Sequence, residues 1–367
     1  MNQSFLWCAP DEKISVSLLT NGGSCTYNAL VGTSLLDIAL EDKGVNVADS
    51  GAHECTTVAE IPAGYEKYAG WYIVNIMGSE DTLYHISFPE SKYMHVEETT
   101  QRRTTCTDYL LTTDGDFAEL AYEVEESGFD TRLAAGHLRL SFEENADGTF
   151  LRMNAAVTYP GLGTYDVKQN TGQKIKENDV GEDVINEYRS IEDKAFLLCS
   201  DKYSSSAYDE GITRLYVIDR LKGYVFMGDM ILKMTDKDHL TAVNNTPSSS
   251  SRDLCDITLE RDGNGISALK CSNAQTFIPE DRAPVLDVNV KNVTISENAQ
   301  WYNISDSIAN SAVTVSRPEN SAVYVYNKYG EVIYTTHNKD ARHVIPMPKG
   351  GKVLFLGEQG DEFKLGM

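Results

Sequence analysis

After Gly51 the apolar residues of this chain almost never recur at the three- and four-residue spacing of a helix. They come in short β-prone runs divided by turn signals: Trp71-Tyr72-Ile73-Val74, Leu83-Tyr84-His85-Ile86-Ser87-Phe88, Phe117-Ala118-Glu119-Leu120, Leu138-Arg139-Leu140-Ser141-Phe142 and Phe150-Leu151-Arg152-Met153. Asp114-Gly115, Asp147-Gly148 and Asp262-Gly263 are dipeptides that hairpin turns favour because they tolerate positive φ. The 20 tyrosines agree with strands better than with helical bundles. The spacing therefore predicts a mainly β protein built from antiparallel barrels or sandwiches.

Residues 4–43 follow a different pattern. Apolar Phe5-Leu6-Trp7-Cys8 runs into a turn around Pro10-Asp11-Glu12-Lys13, and Ile14 to Leu19 then alternates before Thr20-Asn21-Gly22-Gly23. From Ser24 or Thr26 the spacing changes to Tyr27, Leu30, Val31, Leu35, Ile38 and Ala39, an amphipathic helix that Gly44 is placed to end. Two strands and one helix remove too little apolar area from water to stand alone. The segment reads as one edge of something larger.

At 367 residues the chain suits two or three domains of about 100–150 residues each. The polar stretch Lys168 to Asp183, the loose stretch Ser248 to Ser251 and the break Pro279 to Pro284 divide it. The expected parts are a strand–strand–helix remnant (1–50), a lipocalin-like barrel (51–167), a continuing β-domain (184–284) and a small C-terminal β-sandwich (285–367) with runs at Ala322–Tyr326, Val332–Tyr334 and Lys352–Leu356. No fixed repeat is visible, which disfavours a propeller or solenoid.

A formal net charge of −23 repels phosphate backbones and anionic headgroups, and no basic cluster exceeds Arg102-Arg103, so no nucleic-acid partner is expected. Nothing approaches the ~20 apolar residues of a membrane span, and the N-terminus lacks the basic and apolar regions of a signal peptide. If the full protein is exported, its signal is expected upstream. The seven cysteines show no C-x-x-C spacing; Cys8 with Cys25, or Cys255 with Cys271, could bridge, or they are buried free thiols.

For serine chemistry through a lysine base, S-x-x-K must sit on a helix so that the amine reaches the hydroxyl. Only Ser267-Ala268-Leu269-Lys270 has the spacing, and it falls in a predicted strand, where residues three apart face opposite ways. G-x-S-x-G, H-E-x-x-H, P-loop and G-x-G-x-x-G patterns are absent. The histidines His53, His85, His95, His137, His239, His337 and His343 stand beside no nucleophile motif. Asp114-Gly115-Asp116 and Glu143 to Gly148 offer oxygen ligands of the type calcium takes, but without EF-hand spacing. No catalytic, cofactor-binding or metal residue is assigned, and no cofactor is expected.

Val16 to Gly23, with its Leu18-Leu19-Thr20-Asn21-Gly22-Gly23 string, followed by Thr26 to Leu40, resembles the last two strands and final helix of serine hydrolases of the β-lactamase and penicillin-binding type. Tyr65-Glu66-Lys67-Tyr68-Ala69-Gly70-Trp71-Tyr72 looks like the opening of the β-domain that follows such hydrolases. Gly223-Tyr224-Val225-Phe226, Ser251 to Asp256 and the closing Pro348 to Phe363 are similar to signals of the same accessory region. The resemblance places the family's nucleophile and partner motifs before residue 1, so it carries no catalytic residue onto this chain. It implies an extracytoplasmic serine hydrolase as parent protein, acting on peptides and amides including D-alanyl ends, with the upstream hydrolase domain as partner and a peptide or cell-wall ligand.

Two expectations compete. A non-catalytic accessory region, modulating substrate access or assembly, predicts exposed apolar side chains near residues 4–43. A free-standing extracellular carbohydrate- or peptide-binding β-protein predicts a tyrosine-lined groove and a well-covered N-terminal segment. An unrecognised enzyme would instead need a pocket with perturbed titratable groups.

Overall fold

The computed structural model describes residues 2–22, 25–47, 57–58, 60–76, 80–119, 138–159, 163–244, 246, 255–337 and 344–366. Two compact units form: Met1–Met77 with Thr82–Lys176, and Glu177–Asn245 with Ser249–Met367, apart from Gly78–Asp81, which belongs to the second, and Thr246–Ser248, which belongs to the first.

The first unit opens with an antiparallel hairpin of β1 (Asn2–Ala9) and β2 (Ile14–Asn21), in register from Asn2 opposite Asn21 to Ala9 opposite Ile14. Its turn is closed by the Glu12 amide donating to the Ala9 carbonyl, with Lys13 at φ +56°. Helix α1 (Cys25–Asp42) follows and stops where Gly44 takes φ +82° and its amide donates to the Glu41 carbonyl. The helix lies on the hairpin face that carries Trp7, Val16, Leu18 and Thr20: Asn28 Nδ2 donates to Thr20 Oγ1 at 2.7 Å, and Gly32 leaves the room that the Trp7 ring fills. A Cβ at position 32 would collide with that ring.

Eight antiparallel strands then close a barrel: β3 (Gly70–Val74), β4 (Thr82–Ser87), β5 (Met94–Thr99), β6 (Thr104–Leu111), β7 (Phe117–Glu119), β8 (Leu138–Asn145), β9 (Gly148–Tyr159) and β10 (Gly163–Ile175). Inward residues such as Tyr72, Ile86, Met94, Val96, Phe117 and Leu151 build its core. The Asp114-Gly115 and Asp147-Gly148 turns behave as expected, with φ +86° at Gly115 and +138° at Gly148; after Asp262 the positive φ falls on Gly265 instead. Gly70, in the Tyr68-Ala69-Gly70-Trp71-Tyr72 segment, sits at φ +129°, and Tyr72 Oη donates back to the Tyr68 carbonyl at 2.7 Å.

The polar stretch Lys168 to Asp183 is no uniform break. Its first part, through Ile175, is the half of β10 that closes the barrel by pairing with β3, from Gly172 opposite Val74 to Ile175 opposite Trp71. The register shifts between Asn170 and Gly172, where a Cβ would lie 2.8 Å from Val74 Cγ2. A closing strand with one polar face and a glycine at its bulge carries little apolar signal, so composition alone reads it as a loop.

The second unit contains α2 (Glu182–Arg189) and nine antiparallel strands: β11 (Phe196–Leu198), β12 (Ile212–Thr213), β13 (Leu215–Val217), β14 (Tyr224–Met227), β15 (Met230–Met234), β16 (His239–Ala242), β17 (Ile257–Asp262), β18 (Gly265–Cys271) and β19 (Thr276–Pro279). They pair in the order β12-β11-β19-β18-β17-β16-β15-β14-β13, a nearly closed sheet. A sandwich follows. One sheet holds β20 (Val285–Leu286), β22 (Ala299–Ile304), β24 (Ala322–Tyr326), β25 (Val332–Thr335) and β27 (Lys352–Leu356); the other holds β21 (Asn292–Thr294), β23 (Ser311–Ser316), β26 (Val344–Met347) and β28 (Glu362–Gly366).

One core spans the break at Pro279 to Pro284, and a second lies wholly after it. Trp301, Tyr324, Tyr326 and Leu354 pack in one cluster with Phe196, Leu215 and Leu269, while Val323, Val325, Phe355 and Phe363 fill the sandwich interior. Trp301 Nε1 donates to the Leu198 carbonyl at 2.7 Å and Tyr326 Oη to the Tyr208 carbonyl at 2.6 Å, so the polar tips of these rings are satisfied where they are buried.

Candidate functional site

Ser267 and Lys270 lie on β18, and the lysine ammonium pairs with Glu260 Oε1 at 2.9 Å. The strand geometry that argues against serine–lysine chemistry is thus present. Three of the carboxylates in the Asp114–Asp116 and Glu143–Gly148 stretches meet cations of the chain itself: Asp114 pairs with Arg139, and on β8 Glu143 pairs with Arg152 and Glu144 with Lys67. Asp116 accepts from Asn154 Nδ2 at 2.9 Å, and burial pushes its carboxyl upward against the lowering influence of Arg139.

Among the described cysteines, Cys8, Cys106, Cys199, Cys255 and Cys271 are free thiols. Cys255 and Cys271 are buried in contact; the Cys271 thiol donates toward Cys255, which lowers the pKa of Cys255 and raises that of Cys271. Burial pushes the Cys199 thiol up to about 11. Cys55 and the residues Ser251 to Leu254 lie outside the described residues, as do His53, His137 and His343. His239 pairs with Asp236, and His337 Nε2 meets the Tyr203 carbonyl.

Two surfaces of the first unit remain. The first is the hairpin–helix layer. β1 and β2 pair only with each other among the described residues, so each keeps an open edge. The face turned from α1 carries Leu6 and Leu19, 68% and 78% exposed, and the helix leaves Tyr27, Leu35 and Ile38 exposed as well. Half of the large apolar side chains that the described residues expose therefore fall within 6–38.

The second lies on the barrel. In β5, Met94 and Val96 point into the core at 0% and 2% exposure, which turns His95 and Glu97 outward. Register then sets His85, Glu97 and Cys106 in one row across β4, β5 and β6, and His95 beside Asp108 in the next. Donor atoms of His95, Glu97 and Cys106 all lie within 4.8 Å of one another. His95 Nδ1 donates to Asp108 Oδ1 at 2.6 Å, His85 Nδ1 lies 3.4 Å from Glu97 Oε2, and the His85 ring stacks on Trp71. The sequence alone names His85 and His95 only as two of seven histidines and does not show this cluster, because neither β5 nor β6 stands out as an apolar run. The signal is the alternation His95-x-Glu97 facing Cys106-x-Asp108, and it becomes visible only once the register is known.

Comparison of the chain with protein-family profiles, with curated proteins and with solved structures gives no match.

Proposed function

We propose that this chain is the non-catalytic accessory β-region of an extracytoplasmic serine hydrolase of the β-lactamase and penicillin-binding type, and that its β1–β2–α1 layer packs against the hydrolase domain, where it modulates substrate access or assembly. The observation that carries this reading is the layer's uncovered apolar surface. β1 reads Phe5-Leu6-Trp7-Cys8, apolar on both faces, as a strand does when both of its faces are covered. Here α1 covers one face and Leu6 and Leu19 stand exposed on the other. Full burial of such a side chain contributes about 1.5–3 kcal/mol, so five of them plus two open strand edges favour a partner that brings both apolar side chains and a pairing strand. The resemblance of residues 16–40 to the final strands and helix of the hydrolase fold names a partner of that kind. A free-standing binding protein gains no support from an N-terminal layer left uncovered.

The test is labelling with a fluorescent penicillin or fluorophosphonate, on this chain alone and mixed with the hydrolase domain encoded upstream in its native genomic context. No labelling alone, with faster labelling or turnover of the hydrolase domain in the mixture, is the expected result. Labelling of this chain alone, or a hydrolase domain indifferent to it, overturns the proposal.

A further inference from the structure

We propose that His95, Glu97 and Cys106 form a metal site of the zinc class on the outer face of the barrel, with Asp108 as the residue that positions His95. This inference is independent of the accessory-region reading, because it rests on β4, β5 and β6 alone.

Two residues apart on β5, His95 and Glu97 share one face, and Cys106 stands directly opposite Glu97 on β6. Directly opposed residues of antiparallel strands hold their Cβ atoms about 4.5–5.5 Å apart, so the three side chains converge without a loop. One ring nitrogen of His95, a carboxylate oxygen of Glu97 and the Cys106 Sγ already lie within 4.8 Å of one another. With metal bonds of about 2.0–2.3 Å, a tetrahedral ion needs its donors roughly 3.3–3.8 Å apart, a difference that side-chain rotation covers at a surface.

The donor types select the ion. Imidazole and thiolate suit zinc and its borderline neighbours, whereas calcium and magnesium require oxygen ligands throughout. A thiolate and the Glu97 carboxylate balance a divalent charge, and the strongly acidic chain favours a cation at its surface. Ligation breaks the Cys106 S–H bond, forms the S–metal bond and releases the proton to solvent.

The tautomer of His95 is set in advance. A carboxylate only accepts, so the 2.6 Å contact to Asp108 places the imidazole proton on Nδ1 and leaves the Nε2 lone pair for a metal. His85 Nδ1 lies 3.4 Å from Glu97 Oε2, on the strand across Glu97 from Cys106. With three protein donors and an exposed thiol, the remaining coordination position opens to water.

The experiment titrates the full, reduced, metal-free chain with Co2+ and then with Zn2+. One equivalent of cobalt is expected to give a thiolate-to-metal charge-transfer band that zinc abolishes. Cys106→Ser removes the band, while Cys8→Ser, at another exposed thiol, keeps it. His95→Ala and Glu97→Gln weaken binding at least tenfold. Asp108→Asn keeps the band but weakens affinity about 10–100-fold, which separates a positioning residue from a ligand. All these positions are on the surface, and circular dichroism checks that each variant is folded. Absence of a band, or a band that survives in Cys106→Ser, overturns the site.

Discussion

β1 and β24 carry the same kind of sequence and meet opposite fates. Phe5-Leu6-Trp7-Cys8 and Ala322-Val323-Tyr324-Val325-Tyr326 are both unbroken apolar runs, the pattern of a strand covered on both faces. β24 has both covers: Val323 and Val325 face the sandwich interior, Tyr324 and Tyr326 the core shared with the nine-stranded sheet, and all five residues are buried. Among the described residues β1 has one cover, the helix, and Leu6 stays 68% exposed. Two things separate them: β24 has a second cover, and it is paired along both edges by β25 and β27, whereas β1 pairs only with β2 among the described residues.

The comparison predicts unequal costs for similar truncations. Trp301→Ala, which empties a buried site and strands the Leu198 carbonyl, is expected to cost about 3–5 kcal/mol in urea unfolding, whereas Leu6→Ala should stay within about 0.5 kcal/mol. A comparable loss at Leu6 would mean that β1 is already covered in the isolated chain, and the contrast would fail. Next in size, Gly32→Leu drives a side chain into the Trp7 ring and is expected to cost about 1–3 kcal/mol. Because α1 is the one cover β1 has among the described residues, hydrogen exchange should accelerate in residues 2–42 before it does in the barrel; uniform acceleration would show that the layer is not a local unit. Smaller again, Leu19→Asp should leave the unfolding midpoint of the chain unchanged and weaken the proposed association with a hydrolase domain at least tenfold, about 1.4 kcal/mol. Unchanged association in a pull-down titration would remove the layer as the docking surface.

Much of the architecture is legible because it follows from period-two alternation and turn chemistry. The hairpin, α1 and strands β3, β4, β7, β8 and β9 sit where apolar spacing puts them, and the Asp-Gly turns at 114 and 147 adopt the positive φ they favour. β5 and β6 are poorly legible because their outward positions are His95, Glu97, Cys106 and Asp108, which dilute the apolar signal of Met94, Val96 and Tyr109. The same residues make the candidate site, so what hides the strands also hides the cluster. Long-range pairing is the other missing quantity: nothing local tells β10 to pair with β3, about a hundred residues away, or Trp301 to reach Leu198. Cluster and shared core both depend on register between segments that sequence spacing cannot align.

The smallest expected effect near neutrality concerns tyrosines, and it sharpens the contrast between covered and uncovered regions. Burial pushes the phenols of Tyr72, Tyr84 and Tyr109 in the barrel, and of Tyr188, Tyr208 and Tyr326 in the second unit, well above the ordinary value of 10.0. Below pH 10 these groups are protonated in both folded and unfolded chains and contribute no pH dependence. Above it the unfolded chain releases protons that the folded chain retains, so stability falls as pH rises. In an alkaline titration the phenolate absorbance of these six should therefore appear together with loss of the β circular dichroism. Their ionisation while the dichroism is intact would show that water reaches the barrel and the shared core. The six all lie outside residues 2–42, so Leu6→Ala should leave the alkaline transition where it is, while Trp301→Ala, which loosens the packing around Tyr326, should move it to lower pH.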